Sequence, residues 1–200
     1  ATGTMLLGTE IGAALTAIEP FDVDVIGLNC ATGPKEMNDA VRYLGVNSTK
    51  YISVLPNAGL PQNEGGRAVY KLKPEELAQY HKHFITDFGV RIVGGCCGTT
   101  PQHLKAVVDA VSGVEPAKRE VKPTAAASSA YTSVPLDLDP KPLIVAEELN
   151  TTTRVEHFKN MVRGGQYDDI LALAKKLVNE GSHMLDLCCA APRPMWSRKR

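Results

Sequence analysis

The chain has 200 residues, of which 44% are hydrophobic and 22% charged, and its 22 basic and 22 acidic residues cancel. This composition is typical of a globular protein and excludes collagen, long coiled coils and wholesale disorder. Because there is no basic surplus and no apolar run of about 18 residues, we expect neither a nucleic-acid partner nor a membrane span. The first ten residues lack a basic region, so no secretory signal peptide is indicated.

Strand-like runs alternate with helical stripes through residues 1–112. The apolar runs 4–7, 23–28, 51–55 and 90–93 are each followed by apolar side chains at helical spacing, within 11–18, 37–44, 77–88 and 104–111. Four strand–helix units in a row predict an α/β fold with a parallel sheet and helical crossovers. Periodicity alone does not decide between an open sheet and half of an eight-fold barrel.

The helix ends carry recognisable signals. Pro74 suits the first turn of the third helix, and Thr100 followed by Pro101 suits the N-cap and first position of the fourth. Pro20 is expected to end the first helix.

Residues 113–141 interrupt this rhythm. The segment is rich in Pro, Lys, Ala and Ser and has no apolar period, which predicts a linker between two domains. The alternative is a surface excursion within one domain.

The alternation resumes after the linker. A strand is predicted at 143–145, helices at 155–162 and 170–178, and a further strand at 184–187. The final segment, 190–200, is rich in Pro and Arg and does not continue the pattern. We expect it to be a truncation or an unrelated end.

The five cysteines are Cys30, Cys96, Cys97, Cys188 and Cys189. An odd number with two adjacent pairs is a poor disulfide framework and favours reduced thiols in the cytoplasm.

Three of the predicted strands end in polar or thiol residues. Segments 27–30, 56–59 and 94–98 read Gly-Leu-Asn-Cys, Pro-Asn-Ala-Gly and Gly-Gly-Cys-Cys-Gly. Ligands collect at the carboxyl ends of parallel strands, and the glycines allow two adjacent cysteines to leave strand geometry. Three thiolates converging there would form a zinc shell with an open fourth position, as in catalytic sites. The alternative is that these cysteines pack as small hydrophobic side chains.

These three segments closely resemble the zinc-dependent homocysteine S-methyltransferases. The resemblance includes the Leu-Pro that follows the second segment and the Thr-Thr-Pro that follows the third. The resemblance covers about residues 1–112 and implies the C-terminal half of a homocysteine-binding TIM-type barrel. It implies Cys30, Cys96 and Cys97 as zinc ligands. It also implies that Asn57 lies beside the metal and can contribute an oxygen.

Residues 143–188 resemble the start of a pterin-binding methyltransferase barrel. The segment 145–150, Val-Ala-Glu-Glu-Leu-Asn, and the predicted strand before Cys188 carry this resemblance. It implies Asn150 and Asp186 as pterin-site residues. Ala146 and Glu148 stand where that family usually has glycine and arginine.

The order of these modules implies three regions. Residues 1–112 belong to the homocysteine-binding domain, residues 113–141 form a linker, and residues 142–200 form the N-terminal part of a pterin-binding TIM-type barrel. The implied reaction is methyl transfer to zinc-bound homocysteine from methylcobalamin, which methyltetrahydrofolate recharges. Cobalamin would be bound by a module absent from this chain. Because one such barrel takes about 250 residues, we expect an incomplete enzyme with little turnover of its own.

Two other functions fit the zinc motif. One is a cobalamin-independent homocysteine S-methyltransferase that uses a betaine-like or sulfonium donor and needs no pterin module. The other is a non-catalytic module whose zinc only supports the fold.

Further candidate residues are given no role. His81 and His83 are expected to be solvated or at a helix edge. Cys188 and Cys189 are adjacent, as Cys96 and Cys97 are, but they lack the flanking glycines, and we expect no metal there.

Overall fold

A computed structural model describes residues 3–153 and 155–190. The chain divides into two compact units, Ala1–Pro135 and Leu136–Arg200, and each is described by itself. The terminal segment predicted to depart from the pattern lies, from residue 191 onward, outside the described residues. None of the helices in the described residues is both long and apolar enough to cross a membrane.

A parallel sheet of three strands forms the centre of the first unit. Strands β1 (Val25–Asn29), β2 (Tyr51–Leu55) and a later strand, β5 (Ile92–Val93), lie in the order β1-β2-β5. Val25 pairs with Tyr51, and Ser53 with Ile92, both in parallel register. This confirms a mixed α/β fold with parallel strands, and the two-barrel description stays a prediction. The first of the four predicted strands, at 4–7, is wrong: this segment forms a turn with Leu6 and Leu7 exposed, so the sheet has three strands.

Four helices connect and cover these strands: α1 (Ile11–Ile18), α2 (Pro34–Asn47), α3 (Pro74–Phe88) and α4 (Pro101–Val111). Proline occupies the first turn of the last three. Thr100 caps α4 as predicted, because its hydroxyl accepts from the His103 backbone N–H. Gly89 ends α3 with φ of +69°, a conformation that glycine adopts without steric cost.

The core of the first unit lies between the sheet and its helices. Apolar side chains from α2, β2 and α3 are fully buried there: Val41, Leu44, Ile52, Val54 and Phe84. The stripe predicted on α4 is only partly buried. Val107 packs against α3, whereas Leu104 and Val108 are exposed, because α4 buries a single narrow face.

The connection from β2 to α3 contains a hairpin that the sequence pattern did not predict. Strands β3 (Gln62–Glu64) and β4 (Arg67–Val69) pair antiparallel around a Gly65–Gly66 turn. Both glycines have positive φ. The strands are short and mostly exposed, so they carry no apolar alternation that would reveal them.

Much of the predicted linker 113–141 lies against the first unit. The Arg119 guanidinium donates to the carbonyls of Ser48 and Lys50, at 2.9 and 2.7 Å. Strands β6 (Ala126–Ser128) and β7 (Ser133–Pro135) form an antiparallel pair next to α1. Up to residue 135 the segment therefore behaves as a surface excursion would, and its linker role stays a prediction.

The second unit contains a smaller parallel pair. Strands β8 (Val145–Ala146) and β9 (Met184–Leu185) are connected through α5 (Glu156–Arg163) and α6 (Tyr167–Asn179). These are the helices and strands that the sequence predicts. Their core is apolar and consists of Ala146, Leu149, Phe158, Met161 and Leu177.

Candidate metal centre

The carboxyl ends of β1, β2 and β5 meet at one edge of the sheet. Cys30 follows β1 directly, the Pro56–Asn57 segment follows β2, and the glycine-flanked Cys96–Cys97 pair follows β5. Parallel strands place their carboxyl ends on the same side. The loops that follow β1, β2 and β5 therefore lie together at this edge of the sheet.

The three predicted ligand thiols lie together at this edge. The Sγ of Cys97 is 3.7 Å from that of Cys30 and 3.9 Å from that of Cys96. All three sulfurs lie within 4.8 Å of one another. Two sulfurs on a tetrahedral zinc ion, each bonded at about 2.3 Å, are separated by about 3.8 Å. The thiols are thus spaced as a zinc shell requires.

The backbone after β5 turns so that both adjacent cysteines reach the cluster. The Thr99 N–H donates to the Cys96 carbonyl at 3.1 Å, which closes a tight turn. Gly98, inside this turn, has φ of +76°. An L-residue at that φ pays about 1–2 kcal/mol, whereas glycine does not. The glycine at this position therefore makes the double-cysteine turn possible.

The segment after β2 holds the turn from the other side. The Cys96 N–H donates to the Pro56 carbonyl at 2.8 Å, and the Ala58 N–H donates to the Cys97 carbonyl at 2.9 Å. Asn57 is buried, and its Oδ1 accepts from the Cys97 N–H at 3.0 Å. Asn57 is thus a neighbour of the thiols and positions one of them through the backbone.

Cys30 has an unusual backbone conformation. Cys30 and Ala31 have φ of +62° and +61°, in the left-handed region that residues other than glycine rarely occupy. The Cys30 N–H donates to the Leu55 carbonyl and its own carbonyl accepts from the Thr32 N–H. Such strain is concentrated at functional sites, and no sequence signal predicted it.

The thiols perturb one another electrostatically. The Ala31 backbone N–H, followed by the thiols of Cys96 and Cys97, lowers the pKa of Cys30 below its ordinary value. Hydrogen bonds from Cys30 and Cys96, together with their charges, raise the pKa of Cys97. Ionisation of the Cys30 thiol is therefore favoured, whereas ionisation of the Cys97 thiol is opposed by its two neighbours. A cation among the sulfurs would remove that opposition, since it favours the charged form of each.

The cluster is open to solvent on one side. Cys30 and Cys96 are half-buried and Cys97 is exposed. A structural zinc site is closed by four protein ligands, whereas a catalytic one leaves a position for substrate. In the described part of the chain, no other group of three or more His, Cys, Asp or Glu side chains is arranged to hold a metal ion.

Tyr70 is a neighbour of the cluster that the sequence did not predict. It follows β4, and its ring lies against Gly98. Its own burial and the nearby Cys97 thiol raise the pKa of its phenol. A single tyrosine after an unrecognised hairpin gives no sequence signal, so only the structure could identify it.

The expectation of a solvated or edge position is wrong for His81. Its side chain is fully buried, and its Nε2 lies 2.7 Å from the Gly94 carbonyl oxygen. The helical stripe through Leu77 and Phe84 includes position 81, so burial follows from the phase of α3. His83 is half-buried, and its Nδ1 lies 3.0 Å from the Asp87 Oδ2.

The two predicted pterin-site residues of the second unit lie side by side. The Asn150 Nδ2 donates to the Asp186 Oδ2 at 2.7 Å, next to a parallel bridge between Asn150 and Cys188. The Asn150 Oδ1 accepts from the Thr152 N–H and hydroxyl. The pair thus presents a fixed amide and carboxylate at the carboxyl ends of β8 and β9.

Comparison with known proteins gives a consistent result. The model of the family described as Homocysteine S-methyltransferase matches residues 1–111. The chain is 46% identical over 187 residues to a methionine synthase of Mycobacterium tuberculosis (strain ATCC 25618 / H37Rv) and 45% identical over 192 residues to one of Mycobacterium leprae (strain TN). Each match covers 94% of this chain and 16% of the relative, so the chain spans about a sixth of their length.

Proposed function

The chain belongs to the homocysteine S-methyltransferase family, and from this we propose that it is the part of a methionine synthase that activates homocysteine. In this proposal Cys30, Cys96 and Cys97 hold one zinc ion, and homocysteine accepts a methyl group to give methionine. The observation that carries the proposal is the spacing of the three sulfurs: Cys97 lies 3.7 and 3.9 Å from the other two, and all three lie within 4.8 Å of one another.

The residues present fit a zinc ion in number, type and spacing. When bound, zinc supplies the positive charge that makes a homocysteine thiol ionise near neutral pH, and the thiolate is the nucleophile. The chain contributes three thiolates with a net negative charge, which leaves the substrate sulfur electron-rich. Asn57 and the Pro56 carbonyl fix the double-cysteine turn, and the exposed side of Cys97 leaves room for the substrate.

The bonds that change are few. The thiol proton of homocysteine is released, a new S–CH₃ bond forms, and the bond between the methyl group and its donor breaks. The proposed donor is methylcobalamin, held by a module outside this chain and recharged by methyltetrahydrofolate. No protein side chain needs to act as a general base in this scheme.

We propose the following domain organisation from the same family relationship. Residues 1–112 form the C-terminal half of a TIM-type barrel, residues 113–141 the linker, and residues 142–200 the start of a second, pterin-binding barrel. Three neighbouring parallel strands with helical crossovers support the first barrel. The parallel pair β8–β9, with Asn150 and Asp186 at its end, supports the second.

Zinc analysis of cysteine variants tests the proposal. The wild-type chain is expected to hold about one zinc ion per molecule, and a Cys96→Ser, Cys97→Ser variant is expected to lose it because serine oxygen is a poor substitute for thiolate. The adjacent pair in the second unit provides a matched control. A Cys188→Ser, Cys189→Ser variant should keep the zinc of the wild type.

Two results would contradict the proposal. One is an unchanged zinc content in the Cys96, Cys97 variant. The other is an equal loss of zinc in the control variant, which would show that the thiols of the first unit are not specific ligands.

A further inference from the structure

His81 lies in the middle of α3 and reaches the backbone that leads to the double-cysteine turn. We propose that His81 is a positioning residue for the metal centre: its Nε2–H donates to the Gly94 carbonyl and fixes the path from β5 to Cys96 and Cys97. The donor–acceptor distance is 2.7 Å, and the imidazole is fully buried.

The tautomer of His81 follows from its surroundings. A carbonyl oxygen only accepts hydrogen bonds, so the Nε2 that faces Gly94 must carry the proton. The Nδ1 is buried and has no hydrogen-bond partner among the described residues. Phe84 packs against the ring edge-to-face, with centroids 6.1 Å apart. The side chain is therefore a neutral imidazole that offers one directed donor inside an apolar layer.

The backbone that His81 contacts needs such an anchor. Gly94 and Gly95 connect β5 to Cys96, and two glycines in succession have more conformational freedom than any other pair. A Cβ on Gly94 would lie 2.7 Å from Leu55 Cδ2, and one on Gly95 would lie 2.7 Å from Thr99 Cβ. A side chain at position 95 would thus collide with the Cβ of Thr99, and one at position 94 would require the Leu55 methyl to move. As glycines, neither residue has a Cβ that restricts its backbone.

The remaining hydrogen bonds restrain only one side of this path. The Gly94 N–H donates to the Val54 carbonyl at 3.3 Å, and the Cys96 N–H donates to the Pro56 carbonyl. Both bonds lie toward β2. The bond from His81 comes from the helix layer and holds the Gly94 carbonyl, so it sets the orientation of the peptide plane between Gly94 and Gly95.

This inference rests on the proposed function, because the consequence of positioning the thiols is tighter zinc binding. The test measures zinc affinity of the full chain by competition with a chromophoric chelator. It also records the thiolate-to-metal absorption of the Co²⁺-loaded chain, which reports the arrangement of the sulfurs and does not depend on turnover.

Three substitutions at His81 separate the hydrogen bond from the volume of the side chain. His81→Phe keeps a ring but removes the donor. His81→Gln places an amide nitrogen four bonds from Cα, as the Nε2 is, whereas His81→Asn places it one bond short. The control is Leu77→Ala, at a fully buried leucine one turn earlier in α3. It loosens the packing of the helix but leaves the hydrogen bond from His81 to Gly94 in place.

We expect His81→Phe and His81→Asn to weaken zinc binding about 10–100-fold, as losing a contact that orients a ligand does, and to change the Co²⁺ absorption. His81→Gln should restore both properties. Leu77→Ala should lose stability but bind zinc as the wild type does. If His81→Phe does not fold, the comparison of His81→Gln with His81→Asn gives the answer.

Wild-type zinc affinity in both His81→Phe and His81→Asn would overturn the inference. So would an equal loss of affinity in Leu77→Ala, because the effect would then be general destabilisation. A wild-type chain that takes up no zinc would overturn the proposed function itself, so the two failures are distinguishable.

Discussion

Replacement of Gly98 by alanine is expected to damage the double-cysteine turn through two separate effects. The first is the backbone: Gly98 has φ of +76°, where an L-residue costs about 1–2 kcal/mol. The second is space. A Cβ on Gly98 would lie 2.6 Å from Tyr70 Cδ2 and closer still to Tyr70 Cβ and Cγ.

The size of the steric effect follows from which atoms collide. Tyr70 Cβ is tied to the backbone, so rotation of the ring does not relieve the contact. Inserting a carbon into such a site costs about 1–3 kcal/mol, which brings the expected destabilisation of Gly98→Ala to about 2–5 kcal/mol.

Gly113 provides the matched control. Its φ is +73°, but a Cβ there would have nothing within 4 Å. Gly113→Ala should therefore lose only the backbone contribution, about 1–2 kcal/mol. Urea unfolding of the zinc-free chain, followed by circular dichroism, measures both variants. The reasoning would be refuted if Gly98→Ala were no less stable than Gly113→Ala.

Three further results are expected. Asn57→Ala should lower the free energy of unfolding, measured in urea, by about 1–3 kcal/mol, because the Cys97 N–H loses its acceptor. Asn57→Asp keeps an acceptor oxygen and should retain most of that stability. Equal losses in the two variants would contradict the role of Asn57 as the acceptor for Cys97. Burial holds the pKa of His81 below its ordinary 6.5, so the unfolded state binds a proton at a higher pH than the folded state does. The zinc-free chain should therefore lose stability as the pH falls below 6.5. The same dependence of stability on pH in His81→Gln would exclude His81 as the cause. Asp186→Ala should abolish the binding of methyltetrahydrofolate, measured by calorimetry. The control Asp168→Ala, at an exposed residue, should bind it as the wild type does. Equal binding by the wild type and both variants would argue against the pterin site.

The parallel sheet was predictable because its signals are local. Pro74, Thr100 and Pro101 mark helix starts, and apolar runs alternate with apolar stripes from β1 to α4. The apolar run 4–7 was misleading, because it lies in a turn and not in the sheet. The placement of Cys30 near Cys96 and Cys97 was predictable for a topological reason, since parallel strands bring their carboxyl ends to one edge. The role of these thiols as zinc ligands stays a prediction.

Other features depend on contacts between residues distant in sequence. The phase of α3 accounts for the burial of His81, but its hydrogen-bond partner, the Gly94 carbonyl, could not be identified from the helical pattern. The left-handed backbone of Cys30 occurs where its N–H bonds to the Leu55 carbonyl of the neighbouring strand, a contact that the local sequence does not reveal. The segment 113–135 is attached to the first unit by Arg119, by the backbone of Ala117 and by the β6–β7 pair. Most of these hydrogen bonds end on backbone carbonyls, which residue types do not reveal.

The central claim is that three thiolates hold a zinc ion with a position left for homocysteine. X-ray absorption at the zinc edge, recorded on the zinc-loaded chain with and without homocysteine, tests it most directly. The account predicts three sulfur ligands and one lighter ligand without substrate, and four sulfur ligands when homocysteine is added. A zinc shell closed by four protein ligands that homocysteine leaves unchanged would contradict it.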